Sequence, residues 1–316
     1  MHESFPTGAV RLSDWGVIRA QGADAASFLH GQMTQDFSHL DANSARLAGF
    51  CTAKGRLQAA MVGWREHAVG APDGHDTDIL LALPAELLAA TVKRLSMFVL
   101  RAKCKLSDAS AEFAVYGLLG PQSAQDLSAP PGTGGAAWTL VRDGAALRIA
   151  LPAVPGQSRT LLVQSPDATA PTPAIAPEDW AWAEVNAGQA WVRSATVEAF
   201  VPQMINFEVL GGVNFQKGCY PGQEIVARSQ YRGTIKRRLQ IFETDAAATV
   251  GQEVFHSADP EQPAGIVAGS ASRGGRSLIA AEVKLSALDS GSLHLGSAAG
   301  ATLQLRALPY EIPPQD

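Results

Sequence analysis

The chain has 316 residues, of which 46% are hydrophobic and 17% are charged, and its formal net charge is −5. This length exceeds one ordinary hydrophobic core, so we expect a globular protein of two or three domains. The acidic balance excludes a protein that coats nucleic acid with its whole surface, although it is compatible with a local basic patch. No apolar run approaches the length of a membrane span, and the first residues do not resemble a signal peptide. We therefore expect a cytoplasmic protein without membrane contact.

The three cysteines, Cys51, Cys104 and Cys219, are odd in number, lie far apart and include no CxxC pair. This usage fits a reducing cytoplasm and excludes a zinc site that the chain holds by itself. We therefore expect no intrinsic metal centre. Cys104 alternates with charged neighbours and is predicted to lie in the core.

The first part of the chain is predicted to begin with short strands at residues 9–12 and 16–20, joined by a turn. A short helix is predicted at residues 24–30, with Gly31 as its stop. Residues 47–62 are predicted to form a hairpin whose turn lies at residues 53–55.

Strands and helices then alternate, which predicts α+β layers. An apolar strand is predicted at residues 79–83, and Pro84 opens a helix. The apolar side of this helix is predicted to carry Leu87, Leu88, Thr91, Leu95 and Phe98. The remaining predicted elements are strands near residues 102–106 and 113–119 and a helix from Pro121 to near Leu127.

Two stretches rich in proline or glycine, residues 128–135 and 166–177, are predicted to be surface loops. The first of them lacks the Lys-Ser/Thr ending of a P-loop, so it does not indicate nucleotide binding. Short alternating apolar runs begin at Leu239 and are separated by turns rich in glycine and serine. This pattern predicts an all-β domain, a small barrel, at the end of the chain.

A helix is predicted at residues 178–187, because a proline precedes it, acidic residues occupy its first turn and a glycine follows it. Trp180, Glu184 and Ala187 fall on one face of this helix. The Glu184 carboxylate could accept two hydrogen bonds from the N–H groups of a pterin, while an aromatic ring packs on the pterin face. A surface salt bridge explains the same spacing equally well.

The stretch from Lys217 to Glu224 places one cysteine, one proline and two glycines within five residues. Pro221 and Gly222 suit the two central positions of a type II turn. Alternatively, Pro221 opens a helix, and Cys219 then lies just before a helix N-terminus that favours thiolate. A buried structural cysteine is the other interpretation, but the flanking Lys217 favours an accessible, functional thiol.

Six basic residues and one acidic residue lie between Lys217 and Arg238, which makes a local positive patch in an acidic protein. Such a patch could hold the glutamate tail of a folate or a polyanionic partner such as tRNA. For the last three charges, a solvated strand with scattered ion pairs is an equally good interpretation.

The run Lys217-Gly-Cys-Tyr-x-Gly-Gln-Glu224, followed by Arg228, Tyr231 and Arg232-Gly233, resembles the signature of the YgfZ-type folate-binding proteins. That family is related to the T protein (aminomethyltransferase) of the glycine cleavage system. The family often has threonine where this chain has Pro221. Further matches are F-L-x-G-Q-x-T-x-D at residues 28–36, Lys-Gly-Arg at 54–56, Glu-Val-Asn-Ala-Gly at 184–188, F-x-P-Q-x-x-N at 200–206 and Leu-Pro-Tyr at 308–310. Helix capping explains the match at residues 28–36 as well as ligand contact does.

The resemblance implies an aminomethyltransferase-like α+β fold that binds tetrahydrofolate or a derivative. Two interwoven α+β domains would occupy residues 1–238, the central one at roughly 47–120, and a β-barrel would occupy residues 239–316. The folate contacts that it implies are Glu184, Gln203, Asn206, Lys217, Tyr220, Arg228 and Arg232. The motif and structural positions are Gly31, Gln32, Asp36, Lys54, Gly55, Arg56, Gly218, Pro221, Gly222, Gln223 and Glu224.

The function that the resemblance implies is a folate-dependent accessory role for iron–sulfur enzymes, including tRNA-modifying ones. Cys219 would be the candidate catalytic thiolate or a transient cluster ligand, and the expected partners are folate, client or assembly proteins and tRNA. Folate-dependent aminomethyl transfer is the first alternative. Gln58 and Ala59 weaken it, because they stand where T proteins carry two adjacent acidic residues. A tRNA-binding module is the third interpretation.

Overall fold

The structure is a computed structural model that describes residues 6–66, 78–121, 137–154 and 156–313. Its strands form two five-stranded antiparallel sheets and one closed six-stranded barrel. The predicted α+β class with a C-terminal barrel is confirmed. Within the described ranges, no helix is long and apolar enough to cross a membrane.

The elements follow one another in three groups. The first is β1 Gly8–Arg11, β2 Trp15–Gln21, α1 Ala25–Gln32, β3 Ala45–Cys51, β4 Leu57–Arg65, β5 Ile79–Pro84, α2 Ala85–Val99, β6 Lys105–Asp108 and β7 Ala114–Pro121. The second is β8 Leu140–Asp143, β9 Ala146–Val154, β10 Gln157–Gln164, α3 Pro177–Asn186 and α4 Gln223–Tyr231. The third is β11 Arg237–Thr244, β12 Glu253–His256, β13 Asp259–Arg273, β14 Arg276–Lys284, β15 Leu293–Leu295 and β16 Thr302–Arg306. Short 3-10 turns lie at Ser110–Glu112, Ser194–Thr196, Pro202–Ile205 and Leu285–Leu288.

The first sheet has the strand order β3-β4-β5-β2-β6. All of β5 and nearly all of β4 are buried, which is why these strands have continuous apolar sequences instead of alternating ones. Helix α2 packs against β2 and β6 with Leu87, Leu88, Thr91 and Leu95 buried. Phe98, which was predicted to share that face, is exposed.

The second sheet has the strand order β1-β7-β10-β9-β8. Helix α3 lies against it, and a Cβ on Gly117 of β7 would stand 2.4 Å from the Trp180 ring. The missing side chain at Gly117 therefore makes room for the indole and fixes the helix that carries Glu184. The chain enters this sheet with β1, leaves it for the first sheet, and returns with β7, so the two sheets are interwoven.

The barrel closes in the order β11-β14-β13-β12-β15-β16 and contains its own apolar core. This core includes Phe242, Val254, Val267, Ile279 and Leu303. Closure leaves no unpaired edge strand, which explains how such short strands form a stable unit. The first barrel strand begins at Arg237, two residues before the predicted start, and the domain boundaries themselves stay predictions.

The prediction for Gly31 is wrong. Gly31 does not end α1, because it lies inside the last turn and the helix continues through Gln32. Pro121 is the last residue of β7, and the helix predicted to run from there to near Leu127 falls outside the described residues.

Candidate functional site

The Tyr220–Gln223 stretch is a type II turn. Gly222 has φ +82° and ψ 2°, and the Gln223 N–H donates to the Tyr220 carbonyl at 3.1 Å. Helix α4 begins at Gln223, and Glu224 lies in its first turn. The turn interpretation is therefore correct. The alternative, in which Pro221 opens the helix directly after Cys219, is wrong, because the whole turn separates the thiol from the helix N-terminus.

This turn is seated against the hairpin between β3 and β4. A Cβ on Gly222 would stand 2.3 Å from the Thr52 carbonyl oxygen and 2.6 Å from the Gly55 Cα. A Cβ on Gly55, which has φ +71°, would stand 3.0 Å from the Ile225 Cβ and 3.2 Å from the Gly222 carbonyl oxygen. Both glycines thus have a left-handed backbone, and the approach at Gly222 is too close for a side chain. The structure brings the predicted 54–56 turn and the cysteine motif into direct contact.

Arg56 fixes the next segment to the same hairpin. Its Nη1 donates to the carbonyl oxygens of Glu198 at 3.2 Å and Ala199 at 2.6 Å. The neighbouring Gln58 donates from Nε2 to the Glu198 carboxylate at 3.1 Å, whereas Ala59 is buried. A carboxylate therefore lies beside the position where T proteins carry acidic residues, and sequence analysis missed it because Glu198 is 140 residues away.

Cys219 is exposed, unlike the other two cysteines. Cys51 is buried, and burial raises its pKa to about 12. Cys104 is partly buried, and burial together with the nearby Asp24 charge raises its pKa to about 11. The prediction of an accessible thiol is thus met at Cys219, while its chemical role stays a prediction.

Lys217 is buried and connects the motif to helix α1. Its Nζ donates to the carbonyl oxygens of His30 at 2.6 Å, Met33 at 3.0 Å and Gly218 at 3.1 Å. It also lies 4.7 Å from the ring centre of Tyr220, which is itself buried. Burial lowers the Lys217 pKa to about 8. With three carbonyl partners, this ammonium caps the C-terminal end of α1. Its predicted folate contact, like that of Tyr220, stays a prediction.

The N-terminal motif meets the cysteine motif through His30. Its Nδ1 lies 2.9 Å from Asp36 Oδ1, and His39 holds the other carboxylate oxygen at 2.8 Å. Burial opposes ionisation of Asp36, but hydrogen bonds from His39 and His30 outweigh it, so the Asp36 pKa lies below its usual range. His30 Nε2 points towards Gly218 and would stand 3.4 Å from a Cβ there. The nearby Gln32 has a buried Oε1 that no described residue bonds.

Glu184 forms a largely buried ion pair. Its Oε1 accepts from Trp191 Nε1 at 2.9 Å and from Arg159 Nη2 at 3.4 Å, and its side chain is 13% exposed. Burial raises the Glu184 pKa, although the Arg159 charge acts in the opposite direction. The prediction that this carboxylate forms a surface salt bridge is therefore wrong. Among the described residues, no donor reaches Oε2.

Three buried donors that lack a partner among the described residues belong to Arg159, which pairs with Glu184, and to two residues that contact Arg159. The buried atoms Trp180 Nε1, Gln189 Nε2 and Arg159 Nε have no hydrogen-bond partner within the described part of the chain. Gln189 is nevertheless attached to the group, because its Oε1 accepts from Arg159 Nη1 at 3.0 Å. Since buried polar groups are almost always paired, three orphan donors beside a free carboxylate oxygen mark a place for a polar ligand or water.

Gln203 and Asn206 form a buried junction with the barrel. Gln203 Nε2 donates to the Val226 carbonyl at 2.8 Å, and Asn206 Nδ2 donates to the Leu239 carbonyl at 2.9 Å. Asn206 Nδ2 also donates to the Tyr310 hydroxyl, which in turn donates to the Gly188 carbonyl. The junction thus links the first barrel strand to the end of α3, and the folate contacts predicted for these two residues stay predictions.

The six basic residues of the predicted patch divide into two groups. Arg237 and Arg238 are bonded to the buried carboxylates of Glu282 and Glu208, and Lys217 is bonded to carbonyls. The other three, Arg228, Arg232 and Lys236, are exposed. The bonded arginines confirm the ion-pair interpretation for two of the last three charges.

Comparison with known proteins identifies the family. No protein-family model matches the chain. It is 34% identical over 251 residues to the tRNA-modifying protein YgfZ of Edwardsiella ictaluri, covering 75% of this chain and 71% of that protein. It is 31% identical over 263 residues to the tRNA-modifying protein YgfZ of Serratia proteamaculans, covering 77% and 72%. The chain belongs to the YgfZ family.

The fold is also that of an aminomethyltransferase. The structure matches the glycine cleavage system aminomethyltransferase T from Bartonella henselae with a TM-score of 0.67, over 96% of this chain and 86% of that one. Sequence identity is 12%, so this likeness concerns the fold alone. The predicted relation of the YgfZ family to the T protein is confirmed at that level.

Sequence analysis missed several residues of the candidate site. Arg159, Gln189 and Trp191 complete the surroundings of Glu184, but they come from other elements and carry no motif. His30 occupies the variable position of the F-L-x-G-Q run, so the motif itself gave no reason to select it. Tyr310 lies in the family-like ending, which was the one available signal for its role at the junction.

The close approach at Gly222 predicts a specific loss of stability. Gly222→Ala must place a methyl group against backbone atoms of the hairpin, so we expect a loss of about 2–4 kcal/mol in the free energy of unfolding. Gly144→Ala is the matched control, because Gly144 also has positive φ but no atom within 4 Å of its Cβ position. It should cost about 1–2 kcal/mol. Urea unfolding measures both losses. Equal losses in the two variants would show that the contact between the Gly222 turn and the hairpin does not contribute to stability.

The Lys217 cap predicts a pH dependence. Lys217→Met should lower the free energy of unfolding by about 1–3 kcal/mol, because three carbonyls lose their donor. In the wild type, the lowered pKa means that the folded state binds fewer protons than the unfolded state between pH 8 and 10.5. Stability relative to the variant should therefore rise with pH across that window. Urea titrations at both ends of that pH window test this; a difference in stability that does not change with pH would contradict it.

Proposed function

We propose that this YgfZ-family protein binds tetrahydrofolate in the cytoplasm and supports the assembly or repair of iron–sulfur enzymes, including tRNA-modifying ones. Cys219 is the functional thiol of this proposal. The observation that carries it is the exposure of Cys219 on a turn that is fixed on three sides, by the hairpin, by Lys217 and by helix α4. A cysteine that only packs in the core would be buried, whereas Cys219 is exposed on this turn.

The group around Glu184 fits tetrahydrofolate by its donors and acceptors. A pterin offers adjacent N–H donors and ring acceptors, and this group offers a free carboxylate oxygen beside the orphan donors of Trp180, Gln189 and Arg159. Glu184 would bind the pterin N–H groups, and the three donors would face its acceptors. Bound tetrahydrofolate supplies a one-carbon carrier and a reduced pterin. The chain's own residues orient the ring and exclude water from it.

Cys219 acts as a ligand to iron in a cluster that is being delivered or repaired. The thiol loses its proton, and the thiolate donates an electron pair to iron. One thiol cannot hold a cluster alone, so the remaining ligands come from a second molecule, such as a client or assembly protein. Support comes from His30, whose Nε2 faces the neighbouring Gly218 while Asp36 holds its other ring nitrogen. This arrangement offers an acceptor for the thiol proton.

Aminomethyl transfer is the second candidate. The aminomethyltransferase fold is compatible with it, and the carboxylate of Glu198, held against Gln58, is the specific observation that favours it. The accessory role is preferred because Glu198 is exposed at a surface turn, whereas the positions that match the T-protein acidic pair hold an amide and a buried methyl group. Folate-dependent turnover that Glu198→Gln abolishes would reverse this preference.

The proposal predicts that mutation can separate tetrahydrofolate binding from the support of iron–sulfur enzymes. Cys219→Ser should bind tetrahydrofolate as the wild type does, yet fail to restore iron–sulfur enzyme activity in cells that lack their own family member. Glu184→Gln should weaken tetrahydrofolate binding about tenfold or more, because a charge-assisted hydrogen bond is removed, and should reduce complementation as well. Anaerobic calorimetric titration and an assay of iron–sulfur-dependent tRNA modification are the two measurements.

Matched variants control for damage to the fold. Cys104→Ser removes a thiol that is partly buried, and Glu282→Gln removes the charge of another buried carboxylate that pairs with arginine. Both should retain tetrahydrofolate binding and complementation. Full complementation by Cys219→Ser would show that the thiol is structural, and unchanged affinity in Glu184→Gln would remove Glu184 from the folate site.

A further inference from the structure

We propose that the groove between helix α4 and the first barrel strand is a binding site for single-stranded RNA that seats one nucleotide. The groove has a volume of about 340 Å³. It is lined by Val201, Gln203, Met204, Ile225, Arg228, Ser229, Gly233, Thr234, Ile235, Lys236 and Arg237. It includes neither Cys219 nor Glu184, although Gln203 and Arg228 are among the folate contacts that the resemblance implies.

Charge identifies the ligand as an anion. Arg228 and Lys236 lie on opposite walls of the groove, one on the helix and one just before the barrel strand, and both are exposed. Within the described residues neither side chain has an ion-pair partner, whereas the adjacent Arg237 is neutralised by Glu282. In a protein of net charge −5, two unpaired cations facing one hollow are a local attraction for phosphate.

The apolar lining of the groove points to a nucleotide. Val201, Met204, Ile225 and Ile235 line the groove together with the two cations. A free phosphate or a glutamate tail has no flat face that could pack on this apolar lining, whereas a base has one. The volume is at the small end of the range for ligand pockets, which suits one nucleotide and not a duplex.

Gln203 gives the second, independent sign of a ligand. It lines the groove and is fully buried, and its Oε1 has no partner within the described part of the chain. Its Nε2 already donates to the Val226 carbonyl, so the amide cannot be reversed without losing that bond. A buried acceptor that lacks a donor suits the amino or imino N–H of a base.

The inference rests on the proposed function in one respect, the choice of RNA as the polyanion, since the relatives are tRNA-modifying proteins. It goes beyond that function by naming the surface that holds the RNA. Arg232 and the exposed ring of Tyr231 lie next to the groove on the same helix end and extend the path for a strand.

Fluorescence anisotropy with a labelled single-stranded RNA of about twelve nucleotides tests the proposal over a range of salt concentrations. The double variant Arg228→Gln/Lys236→Gln should raise Kd about tenfold and should reduce the slope of log K against log salt by about 1.4, at about 0.7 for each phosphate that is no longer neutralised. The control Lys93→Gln/Arg101→Gln removes the same charge from exposed positions on and beside helix α2 and should leave both quantities unchanged. Equal effects in the two double variants, or no RNA binding by the wild type, would overturn the proposal.

An abasic version of the same RNA tests the nucleotide seat. It should bind the wild type about fivefold or more weakly than the intact RNA, and the groove variant should not distinguish the two. Equal affinity of the wild type for the intact and the abasic RNA would contradict the proposal that the groove binds one base. Tetrahydrofolate and its pentaglutamate are titrated in parallel. Unchanged folate affinity in the single variant Lys236→Gln, whose residue is not among the implied folate contacts, separates this proposal from the folate site. Weaker binding of the pentaglutamate alone, with RNA binding intact, would assign the groove to the folate tail.

Discussion

The close packing of two left-handed glycines is the constraint on which the site depends. Gly55 and Gly222 belong to turns 167 positions apart in the chain, and a Cβ on Gly222 would stand only 2.6 Å from the Gly55 Cα. This packing joins a hairpin of the first sheet to the turn after Cys219. Because the turn is type II, it leads at once into helix α4, which is why the thiol, the helix and the groove have fixed relative positions.

Buried polar links extend this arrangement through the molecule. Lys217 joins the end of α1 to the motif, and Arg238 joins the barrel to the carbonyl of Gln203 and the carboxylate of Glu208. Tyr310 carries the connection from Asn206 to Gly188. Each link donates to a backbone carbonyl of another segment, so several of the residues most expected to bind ligand also hold segments together.

Sequence alone predicted the parts of the fold that have a local cause. The hairpin turn at Gly55 and the barrel strands follow from turn chemistry and from alternation of apolar residues. The type II turn at Gly222 was one of two interpretations that the sequence left open. Gly31 was misassigned because glycine is a helix stop only where the backbone turns left-handed, and here it stays helical. The surroundings of Glu184 could not be predicted, since Arg159 and Trp191 reach it through tertiary packing. The pairing of Gln58 with Glu198 is a long-range contact of the same kind.

The central claim is that the turn holds Cys219 exposed, whereas Cys51 is buried and Cys104 is partly buried. Alkylation of the native protein with iodoacetamide, followed by mass spectrometry of each cysteine peptide, measures this most directly. We expect Cys219 to react rapidly in the native state and Cys51 to react only after unfolding, with Cys104 between them. Protection of Cys219 to the level of Cys51 would contradict the account.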